Sequence, residues 1–260
     1  MSPDYYAMGV TYDGAPFHGW QRQRNDVSVQ GVLEDALSRV ADHPVTIAAA
    51  GRTDTGVHAT GQVISFRSGA SRSLRDWQRG ANALTPSAVS VDWVVAASAD
   101  FHPRYSATAR TYHYLFHDVS HPDPLLAGRV WSTTGLDSDA MHRAAQQLLG
   151  EHDFSGFRAA GCQSLTPMRR INRCLVWRQG PLVVLEIEAN AFLLHMVRNI
   201  ARGLQDVGRH RDSGLIAAVL AGRDRTRLGA TAPAQGLYLT RVSYPGFAIP
   251  PPRAGFFQRL

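Results

Sequence analysis

"SVQGVLEDALSRVADHPVTIAAAGRTDTGVHATGQVISFR", Ser28 to Arg67, is the stretch from which the fold can be read. Val32, Leu33, Ala36, Leu37 and Val40 follow i, i+3, i+4 spacing behind Ser28, which predicts a core-facing helix with a serine N-cap. Val45 to Ala50 and Gln62 to Arg67 then read as strands on either side of a glycine-bracketed loop, Gly51-Arg52-Thr53-Asp54-Thr55-Gly56. Upstream, Tyr5 to Tyr12 supplies a strand that Asp13-Gly14 ends with turn chemistry. Downstream come a helix around Leu74 to Ala83 and the alternating Val89, Val91, Trp93 and Val95. The resulting βαββαβ order is a split-βαβ, ferredoxin-like unit.

The layout returns after a Pro103-containing connection. A strand at Ala107 to His117 leads to a helix whose Met141, Ala144, Ala145, Leu148 and Leu149 face inward. A hairpin of strands Arg169 to Trp177 and Leu182 to Ala189 turns at Gly180-Pro181, followed by a helix from Phe192 and a last strand at Leu237 to Tyr244. The halves share a layout without a visible sequence repeat. We therefore expect an α+β chain of two ferredoxin-like (split βαβ) halves whose sheets join, with a cleft where the halves meet. The expected divisions are 1–104, 105–247 and a proline-rich tail, 248–260.

Composition narrows the function. No apolar run approaches the roughly 18 residues of a membrane span, and MSPDYYAMGV lacks the basic start and apolar stretch of a signal peptide, so a cytoplasmic protein is expected. The two cysteines, Cys162 and Cys174, show neither Cys-x-x-Cys nor His-paired spacing, and His-Glu-x-x-His is absent; neither a metal site nor a disulfide framework is expected. The net charge of +6 favours a polyanionic partner. All 27 basic residues are arginine, whose guanidinium grips phosphate bidentately and stacks on bases.

Asp54-Thr55-Gly56 carries the chemistry. The tripeptide, with Asp212-Ser213-Gly214 downstream, tempts an aspartic-protease reading, in which two carboxylates about 3 Å apart share one proton. The second copy is explained by a helix start, with Asp212 or Ser213 closing the first turn. Arg52, two residues before Asp54, favours a fully ionised carboxylate over proton sharing. What remains is one ionised aspartate suited to nucleophilic attack or proton abstraction, set against the plainer reading of a capped surface turn.

"GRTDTGVHATGQV" resembles the central motif of the TruA family of pseudouridine synthases, which isomerise uridines in the anticodon arm of transfer RNA. "YDGAPFHGWQRQ" (12–23), "DFHPRYSATARTYHY" (100–114), "GEHDFSGFRAAGCQSLTPMRRI" (150–171), "NAFLLHMVRNIARGLQDVG" (190–208) and "GLYLTRVSYP" (236–245) resemble its other blocks in their order. The resemblance covers nearly the whole chain. It implies the pseudouridine synthase fold with a central active-site cleft, Asp54 as the catalytic aspartate, and Tyr112 as the ring that packs on the target uracil. It further implies Arg198 as the partner holding Asp54 ionised, and Arg52 as helping to take the place of the flipped-out nucleotide. The implied partners are transfer RNA, bound at its anticodon arm, and a second copy of the chain in a homodimer. The implied reaction is an isomerisation with no cofactor and no metal. A non-catalytic RNA-binding module of two ferredoxin-like domains is the alternative, though its K/R-G-F/Y-G/A-F-V-x-F/Y strand motif is missing.

Other residues divide between functional and plain structural readings. Strand alternation puts Arg110, Tyr112, Tyr114 and Phe116 on one face, a platform for a base or an ordinary aromatic row. His195, Arg198, Asn199 and Arg202 form a helical stripe that normally means a solvated face. Arg72, Arg75 and Arg79 line one side of the second helix, facing phosphates or water. His58 is expected to bond a neighbouring backbone group, and Cys162 to serve packing.

Overall fold

The computed structural model describes residues 4–210 and 212–250. The last ten residues of the expected proline-rich tail lie outside the described residues. Two compact units make up the chain: one runs to Thr108 and resumes at Tyr238, and the other is Ala109–Leu237.

The first unit begins with strand β1 (Tyr5–Tyr12), helix α1 (Val29–Ala41), strands β2 (Ile47–Ala49) and β3 (His58–Arg67), helix α2 (Leu74–Leu84) and strand β4 (Val89–Ala96). Ser28 caps α1 as its sequence position predicts, its side chain accepting the Gly31 N–H at 3.2 Å. Leu33, Ala36 and Leu37 are buried beneath that helix. Glu34, also buried, accepts the Ile47 N–H at 3.1 Å and so fastens the entry of β2 to α1. A capping box of Ser73 and Asp76 opens α2. Trp77 of α2 is fully buried against Tyr6 and Phe66, with ring centroids 5.3 and 5.0 Å away.

The strand order is β4-β1-β3, all antiparallel, with β2 antiparallel on the other edge of β3. This is the expected split-βαβ sheet. β3 also begins four residues earlier than the pattern predicts. The strand runs through Thr60-Gly61, because Tyr12 pairs with Ala59 on one side and strand β10 (Leu237–Ser243) runs parallel on the other. The free edge of β3 is thus divided: β2 takes Ile64–Phe66, and β10 takes His58 and Ala59. Gly61 is needed there, since a Cβ would lie 2.1 Å from the Thr240 carbonyl oxygen. From Tyr238 onward the last strand is grouped with the first unit, its Tyr238 and Leu239 running alongside His58 and Ala59.

The second unit contains β5 (Ala109–Asp118), β6 (Trp131–Thr133), α3 (Ser138–Ala145), β7 (Gly150–Asp153), β8 (Met168–Gln179), β9 (Leu182–Ala189), α4 (Met196–His210) and α5 (Leu215–Gly222). Strands β5-β9-β8-β7 pair antiparallel in that order, and β6 lies parallel on the other edge of β5 at Phe116–Asp118. The hairpin turns at Gly180, whose φ of 57° is left-handed. Helix α4 starts at Met196, not Phe192, because His195 has a φ of 57° and cannot continue a right-handed helix. Its Ile200, Ala201, Leu204 and Val207 are fully buried.

Candidate active site

Asp54 sits in the loop joining β2 to β3, and each of its neighbours in the chain is tied to the first unit. Gln62 donates to the Gly51 carbonyl at 2.7 Å. The buried Thr53 hydroxyl meets the Tyr12 hydroxyl at 2.8 Å, and its carbonyl accepts the Trp20 N–H at 3.0 Å. The Asp54 carbonyl accepts the Val57 N–H at 3.1 Å, closing a four-residue turn. Gly56 occupies the third position of that turn with a φ of 77°, the left-handed place that type II turns reserve for glycine. Asp54 itself is half-buried, while Arg52 and Thr55 are exposed.

The loop is also gripped from outside by "YDGAPFHGW". Gly19 has a φ of 84°, and a Cβ there would lie 3.0 Å from the Thr53 oxygen and 3.1 Å from the Thr55 nitrogen. A Cβ on Gly14 would lie 2.1 Å from the Val57 oxygen. The loop therefore rests on two stretches of side-chain-free backbone, with Tyr12 and Trp20 packed 5.9 Å apart beside it. These buttressing residues escaped the reading of Asp54 itself. The signal was available, since two glycines bracket an aromatic loop rich in turn residues.

His58 is 2 % exposed and does what a structural histidine does. Its Nδ1 accepts the Gly14 N–H at 3.0 Å and lies 3.1 Å from Asp13 Oδ1. Its ring stacks on Tyr238 at 4.6 Å.

The other two expected site residues, Tyr112 and Arg198, belong to the second unit. Tyr112 is half-buried on β5 and meets Phe192 edge-on at 5.1 Å. The expected four-residue platform is shorter than the alternation suggests. Tyr114 and Phe116 are fully buried, packed 4.8 Å apart, so only Arg110 and Tyr112 keep solvent access. Burial pushes the Tyr114 phenol well above its ordinary pKa, opposed by the charge of Arg198, and its hydroxyl donates to the Pro233 carbonyl at 2.8 Å.

Arg198 lies in the first turn of α4 and donates through Nε to the Ala232 carbonyl at 2.8 Å. Its expected solvated stripe is in fact largely built into the protein. Asn199 is fully buried, donating to the Phe157 carbonyl at 2.8 Å and accepting from Arg225 and the Thr231 hydroxyl at 3.0 and 2.9 Å. Arg202 pairs with Asp206, both contacts at 2.9 Å, and lies against Gly229. The stripe reads as solvent-facing by periodicity because its partners, residues 225–233, arrive from a distant stretch of chain.

Asp212-Ser213-Gly214 is a turn, though not the helix cap expected. Gly214 takes the N-cap position of α5, and Asp212 accepts the Gly214 N–H at 3.1 Å just ahead of it. This exposed aspartate is accounted for locally. Among the described residues no cluster of three His, Cys, Asp or Glu side chains is arranged to hold a metal ion.

Comparison with known proteins identifies the family. Residues 8–106 and 144–245 match the family described as tRNA pseudouridine synthase. The chain is 49 % identical over 257 residues to tRNA pseudouridine synthase A of Pectobacterium atrosepticum, covering 98 % of this chain and 91 % of that one. It is 50 % identical over 252 residues to the protein of the same name from Escherichia coli (strain SMS-3-5 / SECEC), covering 96 % and 93 %.

Proposed function

Because the chain belongs to the tRNA pseudouridine synthase family and isomerises uridine to pseudouridine in transfer RNA, we propose that Asp54 is the residue on which the reaction turns. The observation that carries this is the loop itself. Hydrogen bonds hold its backbone at Gly51, Thr53 and Asp54, and the half-buried Asp54 carboxylate is borne on that fixed frame. Such fixation is what a positioned nucleophile or base requires.

The isomerisation breaks the uracil N1–C1′ bond, turns the base and joins C5 to C1′; C5 then gives up its proton and N1 gains one. Atoms and electrons balance within the nucleotide, so the uracil serves as its own leaving group and returning nucleophile. Asp54 acts as nucleophile or as base at the sugar. Tyr112 receives the face of the uracil, and stacking there offsets part of the few kcal/mol that unstacking the nucleotide costs. Its remaining accessible while Tyr114 and Phe116 are buried supports that role. Arg198, whose Nε is fixed by the Ala232 carbonyl, is the cation assigned to keep Asp54 ionised. Arg52, exposed on the same loop, is assigned to the space vacated by the flipped nucleotide.

We place the target uridines in the anticodon arm, bound by a homodimer in the cytoplasm. Support comes from the resemblance of the motif blocks; no described helix is long and apolar enough to cross a membrane.

The deciding experiment incubates the protein and its Asp54→Asn variant with an unmodified transfer RNA transcript and maps pseudouridine by carbodiimide adduct and primer extension. Stops in the anticodon arm with the parent alone, at affinity equal within a few-fold, are expected. Full turnover by Asp54→Asn would remove Asp54 from the chemistry.

A further inference from the structure

The loop from Arg158 to Arg169 carries chemistry that uridine isomerisation does not use. Cys162 is half-buried there, and its Sγ accepts the Leu194 N–H at 3.4 Å. Arg158 donates through Nη2 to the carbonyls of Cys162 and Ser164, which holds its guanidinium beside the thiol. Arg169 is 8 % exposed; Nη1 is bound to the Thr166 and Met168 carbonyls and Nη2 to the Ser164 hydroxyl. Its Nε is buried and has no acceptor among the described residues. Ser164 ties the two arginines into one loop, its carbonyl accepting Arg158 Nη2 and its hydroxyl accepting Arg169 Nη2. Arg169 Nε–H is thus a buried donor without an acceptor in the same loop as the thiol, suited to receive an oxygen that the loop gains.

The two cysteines are tuned in opposite directions. Burial pushes the Cys162 thiol up, but the N–H groups of Leu194 and Ser164 and the Arg158 guanidinium outweigh it, leaving it below its ordinary value. Cys174 is buried, and burial with the nearby Glu186 pushes it up to about 12. Solvent reaches the first loop freely, since Leu165 is fully exposed and Met168 and Leu194 partly so.

We propose that Cys162 is an oxidation site, a hydroperoxide-reactive cysteine whose sulfenic oxygen is received by the Arg169 Nε–H, with Arg158 and the Leu194 N–H stabilising the reacting sulfur. The ionised sulfur forms a bond to one oxygen of hydrogen peroxide as the O–O bond breaks. Sulfur is oxidised by two electrons, the peroxide is reduced, and the departing hydroxide takes up the equivalent of the proton that the thiol lost on ionising, leaving as water. The chain's one other cysteine is the buried Cys174, so the sulfenic acid persists until an external thiol reduces it. None of this depends on the role of Asp54.

The test uses the intact enzyme. Limiting iodoacetamide is applied across a pH series, with the adduct located by peptide mass spectrometry, and separate samples receive hydrogen peroxide and dimedone. Cys162 is expected to alkylate with a midpoint below that of a free cysteine, about 8.5. At pH 7 it should react about tenfold faster than in the same chain unfolded in urea, with Cys174 unmodified in the folded enzyme. Dimedone should mark Cys162 and leave Cys162→Ser unlabelled. Arg158→Gln should raise the alkylation midpoint, and Arg169→Gln should cut the dimedone yield several-fold; if the latter fails to fold, the Arg158→Gln shift still decides. A midpoint at or above the free value, or peroxide labelling no faster than in the unfolded chain, overturns the proposal.

Discussion

Tyr112 and Tyr114, two residues apart on one face of β5, are put to different uses by burial. Tyr114 is fully buried and spends its hydroxyl on the Pro233 carbonyl, whereas Tyr112 touches Phe192 edge-on and keeps part of its surface open. If Tyr112 serves by stacking, Tyr112→Phe should retain most of the pseudouridine-forming rate and Tyr112→Ala should lose far more, measured as single-turnover rates on one transcript. Equal losses would assign the hydroxyl a proton-transfer role instead. Glu186 gives a residue-scale prediction about stability. Its carboxylate is 3.1 Å from His113 Nε2 and 2.7 Å from Arg173 Nε. The His113 hydrogen bond, opposed by burial and aided by the charges of His113 and Arg173, holds it below its ordinary value of 4.5. A depressed folded-state value stabilises the fold above the ordinary value, and that contribution is lost as pH falls through the folded one. Glu186→Gln should therefore lower Tm near neutrality, and the gap to the parent should close as pH drops below 4.5.

At the scale of elements, the Asp54 loop depends on backbone that another segment lends it. Gly19→Ala adds a Cβ at a φ of 84° and 3.0 Å from the Thr53 oxygen, so the substitution is strained and presses on the loop. The expected cost is about 1–2 kcal/mol of stability, seen as a lower denaturation midpoint. Turnover should fall by about 10²-fold from misplacement of Asp54, with transfer RNA affinity nearly unchanged. Parent-like turnover would mean that the loop tolerates movement and that its fixation is not what Asp54 needs. The same contrast explains what the sequence reveals about elements. Helix α1 is legible because Ser28 and the spacing of Leu33, Ala36 and Leu37 are local signals. Strands β6 and β7 are not, since Trp-Ser-Thr and Gly-Glu-His-Asp carry no apolar alternation and each exists only through its partner. For α4, periodicity finds the buried face but assigns Asn199 to water, because nothing within the helix announces Arg225 and Thr231.

At the scale of the whole molecule, the limit of sequence reading is where distant segments pair. The order of elements in the first unit follows from its hydrophobic patterns, yet the meeting of Tyr238 and Leu239 with His58 and Ala59 does not. That parallel pairing leaves no periodic trace. Asp54, Tyr112, Arg52 and Arg198 are proposed as a set only on the resemblance of whole motif blocks, since each alone reads equally well as a turn, a core ring or a surface charge. Net charge is different, because it belongs to the chain and not to any element. A +6 protein whose cations are all arginine should bind transfer RNA largely through phosphates. Its affinity should fall steeply with salt; about six phosphate contacts would cost about 10³-fold between roughly 50 and 200 mM. Arg72, one of three arginines near α2, is partly committed, donating through Nε to the Val40 carbonyl at 3.0 Å, while Arg75 and Arg79 are exposed. Combining Arg75→Gln with Arg79→Gln should reduce the slope of log affinity against log salt by about two and weaken binding to all transfer RNA sequences alike. An unchanged slope in filter-binding titrations would return both guanidinium groups to solvent and move the phosphate-binding surface elsewhere on the chain.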